Sequence, residues 1–259
     1  MFKFVRPDLY FHWGIFPRAK TRQISVDDAP EFMQGMRIAF ISDVHLRPRV
    51  SDARLSALTE TIRAMNADLI LLGGDYAETA EDCRRFFRFL SKIRPKHGIY
   101  GVFGNNDFIC RDDLRDIMAE NDVKLLLNEG DAITLPGGKL AVAGCDDHKY
   151  GAPETKDIFP GGDYRILVSH QPCMPESAAD LMLSGHTHGG QFNIFGITPY
   201  FIGFEGSKKM MLIHGEKCVG SMRLIVGKGI GISRLPLRIG AAPEVYLIEF
   251  GKILNIAEC

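Results

Sequence analysis

The sequence has few cysteines, no long hydrophobic run and almost no net charge. Its six cysteines are scattered without a Cys-x-x-Cys pair, a pattern that favours reduced thiols in a cytoplasmic protein over a secreted disulfide scaffold. No apolar run approaches the roughly 18 residues that a membrane span needs. Lys and Arg number 31 against 32 Asp and Glu, so no overall basic field would attract nucleic acid. We therefore expect a cytoplasmic protein that does not bind nucleic acid.

The composition is otherwise that of an ordinary globular chain. Of 259 residues, 46% are hydrophobic and 24% are charged, which excludes disordered, collagenous and coiled-coil proteins. The sequence shows no fixed-period repeat and no low-complexity tract. A chain of this length buries roughly three quarters of the surface that its unfolded state exposes. We expect an aromatic and basic N-terminal segment over residues 1–35 and a single folded domain over residues 36–259.

Short apolar runs alternate with helical patterns in the first half of the chain. Strands are predicted at 37–42, 68–73 and 98–103, and helices at 51–65, 80–93 and 112–121. This alternation is typical of β-α-β units and a largely parallel sheet. After residue 121, short strand-like runs, one of them at 210–213, crowd together between turn signals. The pattern predicts an α/β fold in which two β-sheets pack together with helices outside.

Polar residues stand at the ends of five of the predicted strands. In chain order, they are Asp43, His45, Asp75, Asn105, His170, His186 and His188. Sites in α/β sheets gather at the carboxyl ends of the strands, so these side chains can converge. Seven oxygen and nitrogen donors are too many for one tetrahedral zinc ion, but they suit two metal ions of five or six coordination each.

Each of these motifs alone has an ordinary structural explanation. An isolated Asp-x-His is mostly chance, a Gly-Gly-Asp is most often a turn, and a lone histidine after a strand is more often structural than a ligand. The run from Gly185 to Gly190 is stronger, because two histidines among three glycines contribute little to packing. Five motifs in this order, each closing a strand-like run, indicate a metal site rather than coincidence.

The series of motifs resembles the calcineurin-like metallophosphoesterases over about residues 36–250. It is most like the bacterial branch that includes YkuE-like phosphoesterases and the lipid A enzymes that split UDP-2,3-diacylglucosamine. The glycine-rich ending at 227–231, together with 236–238 and 242–244, is also similar to that branch. The resemblance implies a four-layer αββα sandwich, in which two packed mixed β-sheets are flanked by helices, and a dinuclear metal centre. Manganese is the first expectation for the two divalent ions, with iron and zinc as alternatives.

The resemblance also implies a distribution of the ligands. By position, Asp43, His45 and His188 would hold one metal, Asn105, His170 and His186 would hold the other, and Asp75 would bridge the two. The implied reaction is hydrolysis of a phosphodiester or pyrophosphate bond by attack of a metal-bound hydroxide. The implied partner is a phosphorylated small molecule or a lipid-linked substrate such as UDP-2,3-diacylglucosamine.

One position departs from the family pattern. The family usually has a histidine after the asparagine of the third motif, and that histidine contacts the phosphate and helps to protonate the leaving group. Here the position is Asn106, which can donate a hydrogen bond to a phosphoryl oxygen but cannot act as a general acid. We therefore expect Asn106 to be a catalytic residue that orients the phosphoryl group. Leaving groups that are already stable anions are favoured, unless His148 or His214 supplies an acid. The alternative is a non-catalytic, metal-holding binding module in which Asn106 marks lost activity.

Two regions concern the partners of the protein. The first 20 residues combine aromatic and basic side chains, which either pack onto the sandwich or form an interfacial anchor on the inner face of an anionic membrane. Residues 206–240 are rich in Lys and Arg, including Lys228 and Arg238. This stretch is either a solvated basic face or a rim that collects phosphorylated substrates.

Overall fold

Fourteen strands and three α-helices lie in the part of the chain that the computed structural model describes, residues 10–195, 197–198 and 210–251. The strands are β1 (Phe11–Trp13), β2 (Lys20–Val26), β3 (Arg37–Ile41), β4 (Leu69–Leu72), β5 (Ile99–Gly101), β6 (Val123–Leu125), β7 (Glu129–Leu135), β8 (Gly138–Gly144), β9 (Tyr164–Val168), β10 (Leu181–Ser184), β11 (Gly215–Val219), β12 (Met222–Val226), β13 (Leu237–Ile239) and β14 (Glu244–Phe250). The helices are α1 (Asp52–Arg63), α2 (Ala80–Leu90) and α3 (Arg111–Glu120).

The first large sheet has six strands in the order β2-β14-β3-β4-β5-β6. Strands β3, β4, β5 and β6 are parallel, and the helices α1, α2 and α3 connect them in turn. At the start of α2, the Thr79 hydroxyl accepts a hydrogen bond from the Asp82 backbone N–H at 3.1 Å, as an N-cap residue does. These β-α-β units confirm the alternation predicted from the first half of the sequence.

The second large sheet has the order β11-β12-β10-β9-β8-β7. Its four central strands are parallel, and β7 and β11 are antiparallel at the two edges. Phe40 and Leu71 of the first sheet pack in one apolar cluster with Val142, Ile166 and Leu183 of the second. Side chains alternate between the faces of a strand, so Ala39 and Ile41 point the other way, toward the helices. The two packed mixed sheets with flanking helices confirm the α/β fold.

The opposite face of the second sheet has its own smaller apolar cluster. Leu167, Met182 and Leu224 pack there with Ile158 and Ala179 of the connecting segments. Within the described part of the chain, no helix combines the length and apolarity that a membrane span requires.

The strand predicted at 210–213 is wrong. Met210 makes only an isolated bridge to Cys173, and the strand forms instead at Gly215–Val219, paired with β12 in a hairpin. Gly220 turns this hairpin with a φ of 61°. The side chains of β11 lie largely on the surface, so the strand has no hydrophobic pattern to reveal it. Its backbone hydrogen bonds with β12 hold it in place.

The N-terminal segment contributes two strands that the sequence pattern did not predict. Strand β2 lies at the edge of the first sheet, parallel to β14, and β1 pairs with β13 in a separate two-stranded sheet. Phe16 is buried in the core. The aromatic and basic residues at positions 2–6, which are part of the suggested membrane anchor, lie outside the described residues. The domain boundary at residue 35 stays a prediction.

Candidate metal centre

The loops after β3 and β4 are joined by backbone hydrogen bonds. The N–H of Asp43 donates to the carbonyl of Gly74 at 2.9 Å, and the N–H of His45 donates to the carbonyl of Asp75 at 3.0 Å. The pairing of β3 with β4 therefore continues beyond the strands. It fixes the two motifs relative to each other at the carboxyl edge of the sheet.

Five of the seven candidate ligands have a left-handed backbone conformation. The φ angles are 52° for Asp43, 43° for His45, 57° for Asp75, 70° for His186 and 51° for His188. A non-glycine residue in this region costs about 1–3 kcal/mol, and such residues cluster at functional sites where the surroundings impose them. The strain is concentrated where the strand ends meet.

Glycines let the loops approach closely at two of these ends. A Cβ atom on Gly104 would collide with the carboxylate of Asp75, and one on Gly185 would collide with the carboxylate of Asp43. These positions therefore exclude any side chain. The glycine that begins the run Gly185–Gly190 therefore has a steric cause.

The candidate ligands form two overlapping clusters around Asp43. In the first, ligand atoms of Asp43, His45 and His188 all lie within 4.8 Å of one another; in the second, those of Asp43, Asp75 and His170 do so. The Nε2 atoms of His45 and His188 are only 3.1 Å apart. Both clusters are buried, and each combines carboxylate oxygens with imidazole nitrogens, a donor set that divalent transition metals accept.

Asp75, a member of the second cluster, also contacts a histidine of the first. Its Oδ2 atom is 3.4 Å from Nε2 of His45 and 3.4 Å from Nε2 of His170. Nδ1 of His186 contacts Nε2 of His170 at 3.1 Å, which adds a further imidazole to the second cluster. The structure thus brings together six of the seven predicted ligands through direct contacts.

The seventh, Asn105, meets the site through its neighbour. Its Nδ2 donates to Oδ1 of Asn106 at 3.4 Å, while Nδ2 of Asn106 donates to Oδ2 of Asp75 at 3.1 Å. Oδ1 of Asn105 is buried without a hydrogen-bond partner among the described residues. A buried carbonyl oxygen without a partner is costly, and a cation bound here would satisfy it. The residues present therefore fit a metal centre.

The electrostatics of the cluster reflect two buried carboxylates beside several imidazoles. Burial opposes protonation of His45, but Asp75 and Glu78 outweigh it and raise the pKa of His45 to about 9. Burial likewise opposes protonation of His170, whereas the charge of Asp75 raises its pKa to about 10. For His186, burial and the charge of His170 together lower the pKa to about 3. Protons bound to His45 and His170 thus offset part of the negative charge of the buried carboxylates when no metal ion is bound.

Asn106 is oriented by the same cluster. Its backbone N–H donates to Oδ1 of Asp75 at 2.8 Å, and its Nδ2 lies 3.2 Å from Nδ1 of His45. The side chain therefore stands directly beside the two carboxylate and imidazole clusters. An anion bound at the site would compete with these contacts for the carboxamide N–H groups.

Three further residues hold the ligands in place, and the sequence did not indicate that they contact the site. Glu78 contacts Nδ1 of His45 at 2.9 Å. The buried carboxylate of Asp107 accepts hydrogen bonds from the backbone N–H groups of Asp75 at 2.7 Å and Gly104 at 2.8 Å. Such outer contacts orient metal ligands and tune them. Asp107 directly follows Asn106 in the sequence, but nothing in the sequence showed that its side chain binds backbone N–H groups.

Arg238 is the third of these residues. It is 0% exposed, Nη2 lies 3.0 Å from Nδ1 of His188, and Nη1 donates to the carbonyl of Lys228 at 2.9 Å. Lys228 is also buried and pairs with Glu244 at 3.3 Å. Neither residue therefore belongs to a solvated basic face, and Arg238 supports the loop that carries His188.

The sequence of the chain is similar to a known family profile and to the sequences of several bacterial proteins. Residues 36–190 match the sequence profile of the calcineurin-like phosphoesterase family. The chain is 31% identical to the protein YpbG of Bacillus subtilis, over 82% of this chain and 80% of the relative. It is 28% identical to the metallophosphoesterase YkuE of the same organism, over 83% of this chain and 79% of the relative. To the phosphodiesterase YaeI of Escherichia coli it is 26% identical, over 82% of this chain and 81% of the relative.

The resemblance inferred from the motifs is confirmed by these matches. The profile covers all five strand-end motifs and ends with the fifth, at Gly185–Gly190. Members of this family use divalent metal ions, and the two Asp/His clusters are able to bind them. The chain belongs to the calcineurin-like phosphoesterase family and is a metal-dependent phosphoesterase.

Proposed function

We propose that the protein hydrolyses a phosphodiester or pyrophosphate bond with two divalent metal ions. The observation that carries this proposal is the position of Asp75, whose Oδ2 is equally distant from His45 and His170 at 3.4 Å. Its carboxylate can therefore bridge two cations. When bound, the two ions neutralise charge on the phosphoryl oxygens and lower the pKa of the attacking water.

The ligands divide around that bridge. Asp43, His45 and His188 hold one ion, and Asn105, His170 and His186 hold the other. In support of His170 as a ligand, its Nδ1 contacts the carbonyl of Gly73 at 2.7 Å, which leaves Nε2 as the donor toward the metal. Asn106 donates a hydrogen bond to a phosphoryl oxygen and so orients the substrate. With nitrogen and oxygen donors and no thiolate, manganese is the first candidate, followed by iron and zinc.

Metal affinity should rise with pH. In the metal-free protein the pKa values of His45 and His170 are raised to about 9 and about 10, so both rings carry a second proton, as imidazolium ions, at neutral pH. A metal must displace these protons, and each one displaced lowers the apparent Kd roughly tenfold per pH unit. Calorimetric titration with Mn²⁺ between about pH 6.5 and 8.5 measures this slope.

A variant of Glu78, which contacts His45, tests the same pH dependence of Kd. Glu78 helps to raise the pKa of His45, so Glu78→Gln should flatten the dependence of Kd on pH while leaving a metal site. A Kd that does not change with pH in the wild-type protein would contradict the protonated state of the two histidines.

A pair of exposed aromatic rings favours a substrate with a nucleoside group. Phe108, two residues after Asn106, is 46% exposed, and Tyr150 is 50% exposed; their ring centroids are 5.7 Å apart. Nζ of Lys149 lies 4.7 Å from the Tyr150 ring centroid, and its charge acts on His186. The pair therefore stands at the side of the metal clusters, with a cation beside it. We expect the base of a nucleotide to stack there while the phosphate faces the metals.

Competitive inhibition tests this stacking. Phe108→Ala and Tyr150→Ala should each raise the inhibition constant of uridine monophosphate by roughly 5- to 100-fold, the range for base stacking. The constant for ribose phosphate, which lacks the base, should stay the same. Phe11→Ala, which removes an exposed ring elsewhere, is the control. Equal losses for both inhibitors would exclude a specific contact with the base.

Turnover of a small panel of substrates tests the proposed reaction itself. With Mn²⁺ added, we expect hydrolysis of bis-p-nitrophenyl phosphate and of a UDP-sugar lipid, and slow hydrolysis of alkyl monoesters. No turnover of any of them with manganese, iron or zinc would overturn the proposed function.

A lipid-linked substrate is the second candidate, and it is favoured by the exposed face of β1. Phe11 is 69% exposed and Trp13 is 70% exposed, and side chains two residues apart on a strand share one face. Arg18 and Lys20 follow nearby and are also exposed. This combination suits peripheral contact with the anionic inner face of the cytoplasmic membrane.

Sedimentation with liposomes tests that contact. The protein should bind anionic vesicles at low salt, because each Lys or Arg near the surface contributes about 1 kcal/mol. Trp13→Ala should weaken binding without changing hydrolysis of a soluble diester. Zwitterionic vesicles are the control. If the wild-type protein ignores anionic vesicles at low salt, the substrate is soluble.

A further inference from the structure

A cavity of about 860 Å³ lies on the N-terminal side of the fold, apart from the metal ligands. It is lined by Tyr10 and His12, the segment 16–21, one face of α1 and Ile230. None of the seven candidate ligands lines it. Its volume falls in the range of about 300–1,000 Å³ that is typical of small-molecule sites. Neither the proposed reaction nor the metal centre accounts for this cavity.

The inner wall of the cavity is apolar. Phe16, Leu58 and Ile230 are buried and face it, and Pro17 and Ala57 extend the same surface. An apolar ligand group placed against them would be removed from water, which is favourable. The wall therefore suits a hydrocarbon chain.

The charged residues that line the cavity within the described part of the chain have one sign. Arg18, Lys20 and Arg54 line it, and none of its described lining residues is an aspartate or glutamate. The chain as a whole has a formal charge of −1, so three cations without an acid are a local feature. Arg54 is fixed in place, since its Nη1 donates to the carbonyl of Phe16 at 2.9 Å. This arrangement favours an anionic head group.

His12 contributes a ring nitrogen that could form a hydrogen bond with a ligand in the cavity. Its Nε2 is shielded from solvent and has no hydrogen-bond partner among the described residues. Burial, followed by the charges of Arg54 and Arg238, lowers the pKa of His12. The ring is therefore neutral near pH 7 and able to donate or accept one hydrogen bond.

We propose that this cavity binds an amphiphilic anion, with an acyl chain against Phe16, Leu58 and Ile230 and a carboxylate or phosphate head group at the three cations. The site is separate from the metal centre but joined to it. The backbone N–H of Ile230 donates to the carbonyl of Asp43 at 3.2 Å. A backbone hydrogen bond thus links the wall of the cavity to the loop that carries Asp43, a candidate metal ligand. The proposal does not depend on the reaction that the metal centre performs.

A fluorescent fatty acid tests the site in the full-length protein. Trp13 is the sole tryptophan of the chain and lies next to His12 on β1, so energy transfer from it reports a dansyl-labelled undecanoate bound in the cavity. Dodecanoate, dodecyl phosphate and dodecanol are then compared as competitors below their micellar concentrations. We expect both anions to displace the probe and dodecanol to do so more weakly. The tighter of the two anions identifies the head group as a carboxylate or a phosphate.

Variants locate the binding. Ala57→Phe fills the cavity and should raise the Kd of the probe by roughly 5- to 100-fold, the size expected for overpacking a formed site. Ala119→Phe, the same change at an exposed position of α3, should leave the Kd unchanged. Lys20→Gln should weaken the anions roughly 2- to 5-fold, as for one exposed ion pair, without affecting dodecanol.

Three results would overturn the proposal. They are a full-length protein that does not bind the probe, an Ala57→Phe variant that binds it as tightly as wild type, and dodecanol competing as well as the anions. Because the readout is binding, none of these results depends on whether the metal centre is active.

Discussion

Asp75→Ala should lower the kcat for bis-p-nitrophenyl phosphate by at least roughly 1,000-fold, the upper range for loss of one electrostatic contact at a reacting centre. The carboxylate is buried between His45 and His170, and it also accepts a hydrogen bond from the N–H of Asn106. In the proposed function Asp75 bridges the two ions and Asn106 orients the phosphoryl group, so the substitution should remove the bridge and release Asn106. Both metal sites should therefore lose occupancy together, and elemental analysis should find fewer than two ions per chain.

Two other variants separate loss of the bridge from general damage. His188→Ala should remove mainly one ion, since the candidate ligands that His188 contacts are Asp43 and His45. Asp116→Ala removes an exposed carboxylate of α3 and should change neither metal content nor kcat. If Asp75→Ala keeps two bound ions per chain, Asp75 is not the bridge. Thermal unfolding of each variant shows whether the fold is intact.

The parts of this fold that could be predicted are those that repeat a simple pattern. Buried parallel strands appear in a sequence as short apolar runs, so β3 and β4 were predicted to within one residue. Their carboxyl ends share one edge of the sheet, so the convergence of Asp43, His45 and Asp75 followed from the order of elements alone. That all seven residues bind metal stays a prediction until occupancy is measured.

The parts that could not be predicted depend on contacts between distant segments. Edge strands such as β2 and β11 are stabilised by backbone pairing, which leaves no hydrophobic pattern in their side chains. Arg238 looked like a surface cation because arginine is rarely buried. Yet it is enclosed by backbone carbonyls, among them those of Lys228, Gly231 and Ala241. Only the fold brings those acceptors to one place.

Asn106→His should raise kcat for alkyl phosphodiesters about 10²–10⁴-fold, the usual contribution of a general acid where proton transfer limits the rate. The residue stands beside the reacting centre, with Nδ2 3.1 Å from Oδ2 of Asp75 and 3.2 Å from Nδ1 of His45. An imidazole at that position can reach the leaving oxygen, whereas the carboxamide has no proton to give as an acid. For p-nitrophenyl esters, whose leaving group departs as a stable anion, the same substitution should change kcat little.

The dependence of kcat on the pKa of the leaving group measures this difference. Across a series of phosphodiesters, the wild-type rate should fall steeply as the leaving group becomes more basic, and Asn106→His should flatten that slope. The histidine variant should also lose activity at alkaline pH as its ring is deprotonated, a limb that Asn106→Gln, the control that keeps the carboxamide, should lack. Equal gains for alkyl and aryl esters would mean that position 106 has no part in the departure of the leaving group. In that case the preference for anhydride substrates would have to come from binding, through contacts such as the Phe108 and Tyr150 pair.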